Sequence, residues 1–336
     1  MATDEDRKEP IRRGRGLRLS TQAASGESPA EPAADKSAPI TRGRGLHLTT
    51  EESVTTKQLF LSDLNVPTGR IVYYSAGEGP PLLMLHGFGA SGRIWRNVAA
   101  TLSDRRTCYA PDIPGFGGSP PRTTIPTLDV LADEVIAFAD ALDIAHFDLL
   151  GHSLGAAIAA TIAAQYPRRI GRLALTSLAI RPFAPELMAL AANRLPLDVS
   201  LNLARPVLDI WRPWTSWAMV TPPPALLLGS QLLANAPVEV QLWQEFLSDH
   251  AQADGRAYLT SVTAPGDPVL IAYLPAIKAP TLLISGHDDR VARLPEVVMA
   301  QQRIAAAQLH TIAQCGHLPM IERPQEYHAI LAEFFH

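Results

Sequence analysis

The chain has 336 residues, is 47% hydrophobic and carries a formal net charge of -4, which allows two domains or one large domain with insertions. No basic patch stands out in its main body, so nucleic acid is not the expected partner, and no apolar run reaches the roughly 18 residues of a membrane span. The acidic start Met1-Ala2-Thr3-Asp4-Glu5-Asp6 leads into no apolar core of a signal peptide. Cys108 and Cys315 lie far apart, without zinc or disulfide-framework spacing, and fit a reducing, cytoplasmic setting.

Residues 1–56 contain no Phe, Trp or Tyr and carry nine Lys+Arg against nine Asp+Glu. They lack the apolar surface that would offset the entropy of ordering, and a disordered tail is expected. Pro10 to Ser20 returns as Pro39 to Thr49 with eight of eleven positions identical. A duplicated solubility linker would account for this. So would a pair of docking motifs at Arg13–Leu19 and Arg42–Leu48, with Arg-Gly-Arg-Gly as a cationic backbone and the leucines as anchors. Spaced 29 residues apart, the motifs would sit roughly 30 Å apart on a flexible chain and would gain avidity against a repetitive protein scaffold or shell.

From Leu59 the pattern is that of ordered structure. Arg70–Ser75 and Pro81–Leu85 read as strands around a Gly/Pro turn, and the second strand ends in His86-Gly87-Phe88-Gly89. Glycines at a strand end let main-chain N–H groups turn toward a bound oxygen, as an oxyanion hole requires. A helix through Leu102, a strand at Thr107–Ala110 and the loop Pro111–Ser119 follow, with Asp112 expected to cap local backbone groups. Leu128, Leu131, Val135, Phe138 and Leu142 share one helical stripe.

The strand beginning at Phe147 then runs into Gly151-His152-Ser153-Leu154-Gly155 and an Ala-rich helix. This is the strand, Gly-x-Ser-x-Gly, helix order of a nucleophile elbow, with Ser153 as the nucleophile. The oxyanion donors would be the main-chain N–H groups of Phe88 and Leu154. Leu173–Thr176 supplies a further strand, and the alternation predicts a mainly parallel, doubly wound α/β sheet covered on both faces.

Residues 181–277 break the alternation with Trp211, Trp214, Trp217, Trp243, many leucines and repeated prolines. They read as an inserted helical cap that would wall an apolar pocket with Trp, Leu and Met. The core pattern resumes with a strand at Pro280–Gly286, then His287-Asp288-Asp289, a helix Pro295–Ala307, a strand Gln308–Ile312, and Gly316-His317 before a last helix to Phe335. An acid after one strand and a histidine after the next complete the order Ser, Asp, His. His317 would take the serine proton, and Asp289 would orient and stabilise the imidazole, with Asp288 as the alternative acid. No Asp or Glu lies in Thr176–Ile180, so no acid follows the strand before the cap. No paired His or carboxylate spacing suggests a metal.

Together His86-Gly87-Phe88-Gly89, Asp112–Ser119, Gly151–Gly155, Gly286–Asp289 and Gly316-His317 make the chain resemble the α/β-hydrolase superfamily from about residue 58 to the end. The similarity is greatest to its capped esterases, cofactor-free haloperoxidases and carbon–carbon hydrolases. The resemblance implies core segments 57–180 and 278–336 around the cap, selects Asp289 over Asp288 as the acid, and implies no cofactor. It also implies hydrolysis of a small apolar ester, thioester or lactone through an acyl-enzyme. Carbon–carbon bond hydrolysis and acyl transfer are alternatives on the same fold, as are a ligand-binding protein with a slow triad and an enzyme docked as cargo through its tail.

Overall fold

The computed structural model describes residues 59–181, 210, 214 and 221–336. The tail 1–56 with its two repeats, Trp211, Trp217 and most of the first part of the inserted segment lie outside the described residues.

Eight strands form one sheet: β1 Phe60–Val66, β2 Gly69–Ala76, β3 Pro81–Leu85, β4 Thr107–Pro111, β5 Phe147–His152, β6 Ile170–Thr176, β7 Thr281–Gly286 and β8 Ala307–Ile312, in the order β1-β2-β4-β3-β5-β6-β7-β8. β1 and β2 pair antiparallel, as do β2 and β4, and every later pairing is parallel. The chain reverses strand order beside β5, where open α/β sheets leave a crevice at the strand ends.

The inner parallel strands β3, β5, β6 and β7 are largely buried on both faces because their alternate residues feed two separate cores. Leu83, Leu85, Leu149, Leu173, Leu175 and Leu283 pack with helices α2 Leu128–Ala141, α3 Leu154–Gln165 and α8 Leu294–Arg303. Leu82, Met84, Leu150, Ala174, Leu282 and Ile284 pack against α1 Arg96–Leu102 and the last helix, α10 Pro324–Phe335, through Val98, Leu102, Tyr327, Leu331 and Phe335. Thr127 caps α2 by accepting from the Val130 amide, one of the donors that a helix start leaves unpaired.

Between β6 and β7 the described part of the inserted segment is helical: α4 Pro222–Leu232, α5 Val240–His250, α6 Gly255–Thr263 and α7 Pro268–Tyr273. A short α9, Pro319–Glu322, precedes α10. Among the described residues no helix is long and apolar enough to cross a membrane.

One helix expected from the sequence needs correction. The helix read as Pro295–Ala307 ends at Arg303, because Ile304 leaves the helix at φ -100°, ψ 114° and buries its side chain in the core, while Ala307 opens β8. The alanines at 305–307 favour helix intrinsically, and tertiary burial of Ile304 overrides them. β1 carried no strand signal in the sequence, because its burial does not alternate along Phe60–Val66.

Candidate active site

β5 ends beneath a sharp turn in which Ser153 takes φ 52°, ψ -113°, a left-handed backbone that costs about 1–3 kcal/mol for a residue with a side chain. The turn is tight enough to exclude a Cβ at both flanking glycines. One on Gly151 would stand 2.3 Å from the Gly155 oxygen, and one on Gly155 would stand 2.1 Å from the Leu85 oxygen. The Ser153 amide donates to the Thr176 oxygen at 2.9 Å, and the Ser153 oxygen accepts from the Ala156 and Ala157 amides, so α3 begins directly after the serine.

Ser153 Oγ lies 3.0 Å from His317 Nε2, and His317 Nδ1 lies 2.8 Å from Asp289 Oδ2. Asp289 Oδ1 accepts from the Val291 and Ala292 amides at 2.8 and 2.9 Å. Burial works to raise the Asp289 carboxyl, but the adjoining imidazole and these amides outweigh it, so the group is held below the ordinary aspartate value. An ionised carboxylate fixes the hydrogen on Nδ1 and leaves Nε2 as an acceptor for the Ser153 hydroxyl. Asp288 is exposed and pairs with the His287 ring at 2.9 Å.

The loop carrying His317 is fastened on several sides. The His317 amide donates to the Leu232 oxygen at 2.7 Å, and its own oxygen accepts from His152 Nε2 at 2.8 Å and Ser177 Oγ at 3.1 Å. Glu322, buried, accepts from the Gly316 amide through Oε1 and from the Ala234 and Asn235 amides through Oε2. It thereby ties the loop to the inserted segment. Nothing in the sequence reading singled out Glu322 or Ser177, since a carboxylate at a helix end and a serine after a strand carry no motif.

Two other buried histidines near the site have other tasks. His86 Nε2 accepts from the Ile113 amide at 2.9 Å and Nδ1 donates to the Gly87 oxygen, while burial lowers the ring to about 4 and keeps it neutral. His152 is lowered to about 3 by burial and by the neighbouring His317. Asp112 accepts from the Gly92 and Gly118 amides at 2.6 and 2.7 Å, the capping role expected of it, and burial raises it to about 7.

Phe88 comes shortly after β3 and Leu154 is the first residue of α3, and both line the same cavity as Ser153. The Leu154 N–H has no intrahelical acceptor at that position.

Above Ser153 lies a cavity of about 280 Å³ lined by Phe88, Leu154, Leu228, Leu232, Phe246, Leu318 and other apolar groups, with Arg181, His250 and Ser261 among its polar members. α4, α5 and α6 supply much of this wall. Of the tryptophans and methionines expected in this wall, Met188, Met219, Trp211 and Trp217 lie outside the described residues, and the two described tryptophans do not line it. Trp243 stacks behind Phe246 with ring centroids 5.4 Å apart, and Trp214 is exposed. α5 is anchored by Asp249, which accepts from Ser91 Oγ at 2.7 Å and forms a two-point pair with Arg93. Among the described residues no cluster of His, Cys, Asp and Glu is arranged to hold a metal ion.

The alpha/beta hydrolase family profile matches residues 82–330. The chain belongs to the alpha/beta hydrolase family. This hydrolase is 28% identical over 268 residues to the 2-hydroxymuconate semialdehyde hydrolase of Pseudomonas sp. (strain CF600), covering 78% of this chain and 88% of the relative. It is also 28% identical over 297 residues to the 2-hydroxy-6-oxo-6-phenylhexa-2,4-dienoate hydrolase of Comamonas testosteroni, covering 84% and 97%. Among solved structures it is similar to a bacterial membrane phospholipase A, with a TM-score of 0.66, 27% identity, and 82% and 86% of the two chains covered.

Proposed function

We propose that this alpha/beta hydrolase is a serine hydrolase that cleaves a carboxylic ester, thioester or lactone through an acyl-enzyme. The observation that carries the reading is the continuous relay from Ser153 to His317 to Asp289, at 3.0 and 2.8 Å, opening into an apolar cavity. Ser153 Oγ attacks the substrate carbonyl while His317 Nε2 takes its proton. The amides of Phe88 and Leu154 hold the oxyanion, and loss of one such donor costs about 100-fold to 1000-fold in turnover. His317 returns the proton to the leaving alcohol, thiol or ring oxygen, then activates water to release the acid and restore Ser153. Residues 181–277 act as a cap that keeps bulk water from the reacting carbon.

Purified full-length protein assayed with p-nitrophenyl esters of graded acyl length tests this directly. Steady-state turnover that rises with chain length and vanishes in Ser153→Ala supports it. Equal turnover in that variant removes Ser153 from the role.

A second reading, hydrolytic cleavage of a carbon–carbon bond beside a ketone, is favoured by the similarity to the semialdehyde and dienoate hydrolases over most of the chain. Product analysis with a vinylogous diketone separates it from ester cleavage. The tail repeats at Arg13–Leu19 and Arg42–Leu48 are assigned, in the same proposal, to docking on a repetitive scaffold. Deletion of residues 1–55 would then change the partners recovered with the protein.

A further inference from the structure

The cavity wall holds one feature that the proposed hydrolysis does not use. Arg181 follows β6 and lines the cavity, surrounded there by Ala179, Ala264, Pro265 and Val291. Its amide donates to the Pro265 oxygen and one terminal nitrogen donates to the Val291 oxygen at 3.3 Å, while its Nε is buried without a hydrogen-bond partner. Among the described residues no carboxylate pairs with it. A guanidinium stays charged at every physiological pH, and although Arg181 is half-buried, its buried Nε lies among apolar groups with no acceptor or counterion to offset its lost hydration. The guanidinium's single contact to a neutral carbonyl, that of Val291, does not balance that cost.

The strand order fixes where this charge lies relative to the reaction. β5, which carries Ser153, stands between β3, which leads to Phe88, and β6, which leads to Arg181. Arg181 therefore sits across Ser153 from the Phe88 amide, on the side toward β7. It is placed for a second group on the substrate, away from the oxyanion.

We infer that Arg181 is a specificity-determining anion anchor, and that the substrate carries a carboxylate joined to the scissile carbonyl by an apolar spacer. The inference rests on the serine-hydrolase reading of the same pocket and adds a charge to a substrate that the apolar lining alone would leave neutral. A carboxylate can take two parallel N–H bonds from the guanidinium fork, and the apolar wall between Arg181 and Ser153 accommodates the spacer.

The test compares monoethyl esters of dicarboxylic acids, from succinate to suberate, with ethyl esters of the corresponding monoacids, in wild type, Arg181→Lys and Arg181→Met. Wild type should favour one member of the anionic series over its neutral counterpart in kcat/KM. Arg181→Met should reduce that anionic-to-neutral ratio by about 10-fold to 100-fold, the range of a lost charged hydrogen bond, mainly through KM. Arg181→Lys should retain part of the ratio, since an ammonium keeps the charge and loses the fork. No anionic preference in wild type, or a ratio unchanged in Arg181→Met, overturns the anchor. If no ester is turned over, the hydrolysis reading fails by itself and the anchor is read separately by titrating adipate and inorganic phosphate into Ser153→Ala. Saturable thermal stabilisation by adipate that disappears in Ser153→Ala/Arg181→Met supports the anchor. Its absence, or stabilisation by phosphate alone, overturns it.

Discussion

His152 Nε2 donates to the main-chain oxygen of His317 at 2.8 Å, so the variable residue preceding Ser153 in its own motif holds the loop that carries the candidate base. The carbonyl must accept, which puts the imidazole hydrogen on Nε2 and leaves His152 Nδ1 without a partner. Ser177 Oγ approaches the same oxygen from the end of β6. The Ser153–His317 distance is thus set by two neighbouring strands as well as by the residues that react.

His152→Ala is expected to fold and to lose about 10-fold to 100-fold in kcat, because one buried hydrogen bond worth about 1–3 kcal/mol positions the base. His152→Asn keeps a donor near that carbonyl and should recover part of the loss. Steady-state kinetics on both variants, with circular dichroism to confirm folding, checks this.

Asp289→Asn should keep the contacts to the Val291 and Ala292 amides and lose its hold on the imidazole tautomer. The amide of Asn cannot accept on both sides, and a carboxamide facing Nδ1 favours the tautomer with the hydrogen on Nε2, where the Ser153 proton must go. A fall in kcat of about 10⁴-fold with little change in unfolding midpoint is the expected result. Asp288→Asn, on an exposed side chain outside the relay, should stay near wild type.

The Arg93–Asp249 pair fastens α5 to the segment after β3, and Asp249 adjoins His250 in the cavity wall. Arg93→Met leaves the Asp249 carboxylate, whose side chain is only 10% exposed, facing the Ser91 hydroxyl alone. With Arg93 itself 32% exposed, the loss is set at about 1–3 kcal/mol, below that of a fully buried pair. A lowered urea midpoint together with a raised KM would show that the wall and the clamp move as a unit.

His250 packs its ring against Phe88 and Phe246, and burial lowers it from 6.5 to about 4. The folded protein keeps it neutral in a range where the unfolded chain protonates it. Unfolding therefore takes up a proton between about pH 4 and 6.5, and the stability from this residue is complete above that window and falls as pH drops through it. The contribution is on the order of 1.4 kcal/mol per pH unit. His250→Phe should flatten the dependence of unfolding free energy on pH by about this slope, measured by urea denaturation at pH 5 and pH 7. Asp112, raised to about 7, contributes the opposite trend in both proteins and cancels in the difference.

The parallel core was legible because β3, β5 and β7 are short strands with apolar centres bounded by turn residues, and the residues of the relay follow strand ends marked by glycine. Ser153 and His317 stood in motifs. Residue pattern alone left Asp288 and Asp289 open and the family resemblance selected Asp289; the backbone turns that carboxylate inward to His317 and leaves Asp288 exposed beside His287. The supports were hidden for a related reason. Glu322, Ser177 and the Arg93–Asp249 clamp join residues far apart in the chain, and a single sequence carries no signal for such pairings. The walls of the pocket were legible in kind and not in detail. Apolar helices were expected, whereas which leucines face Ser153, and that Arg181 stands among them, depends on how α4 to α6 settle over the sheet.

The central claim, that Ser153 is a nucleophile activated by His317, is tested most directly by labelling purified protein with a fluorophosphonate and locating the adduct by peptide mass spectrometry. Near one-to-one labelling confined to Ser153, lost in Ser153→Ala and strongly slowed in His317→Ala, is the predicted result. Labelling of equal stoichiometry in Ser153→Ala, or an adduct on another residue, would contradict it.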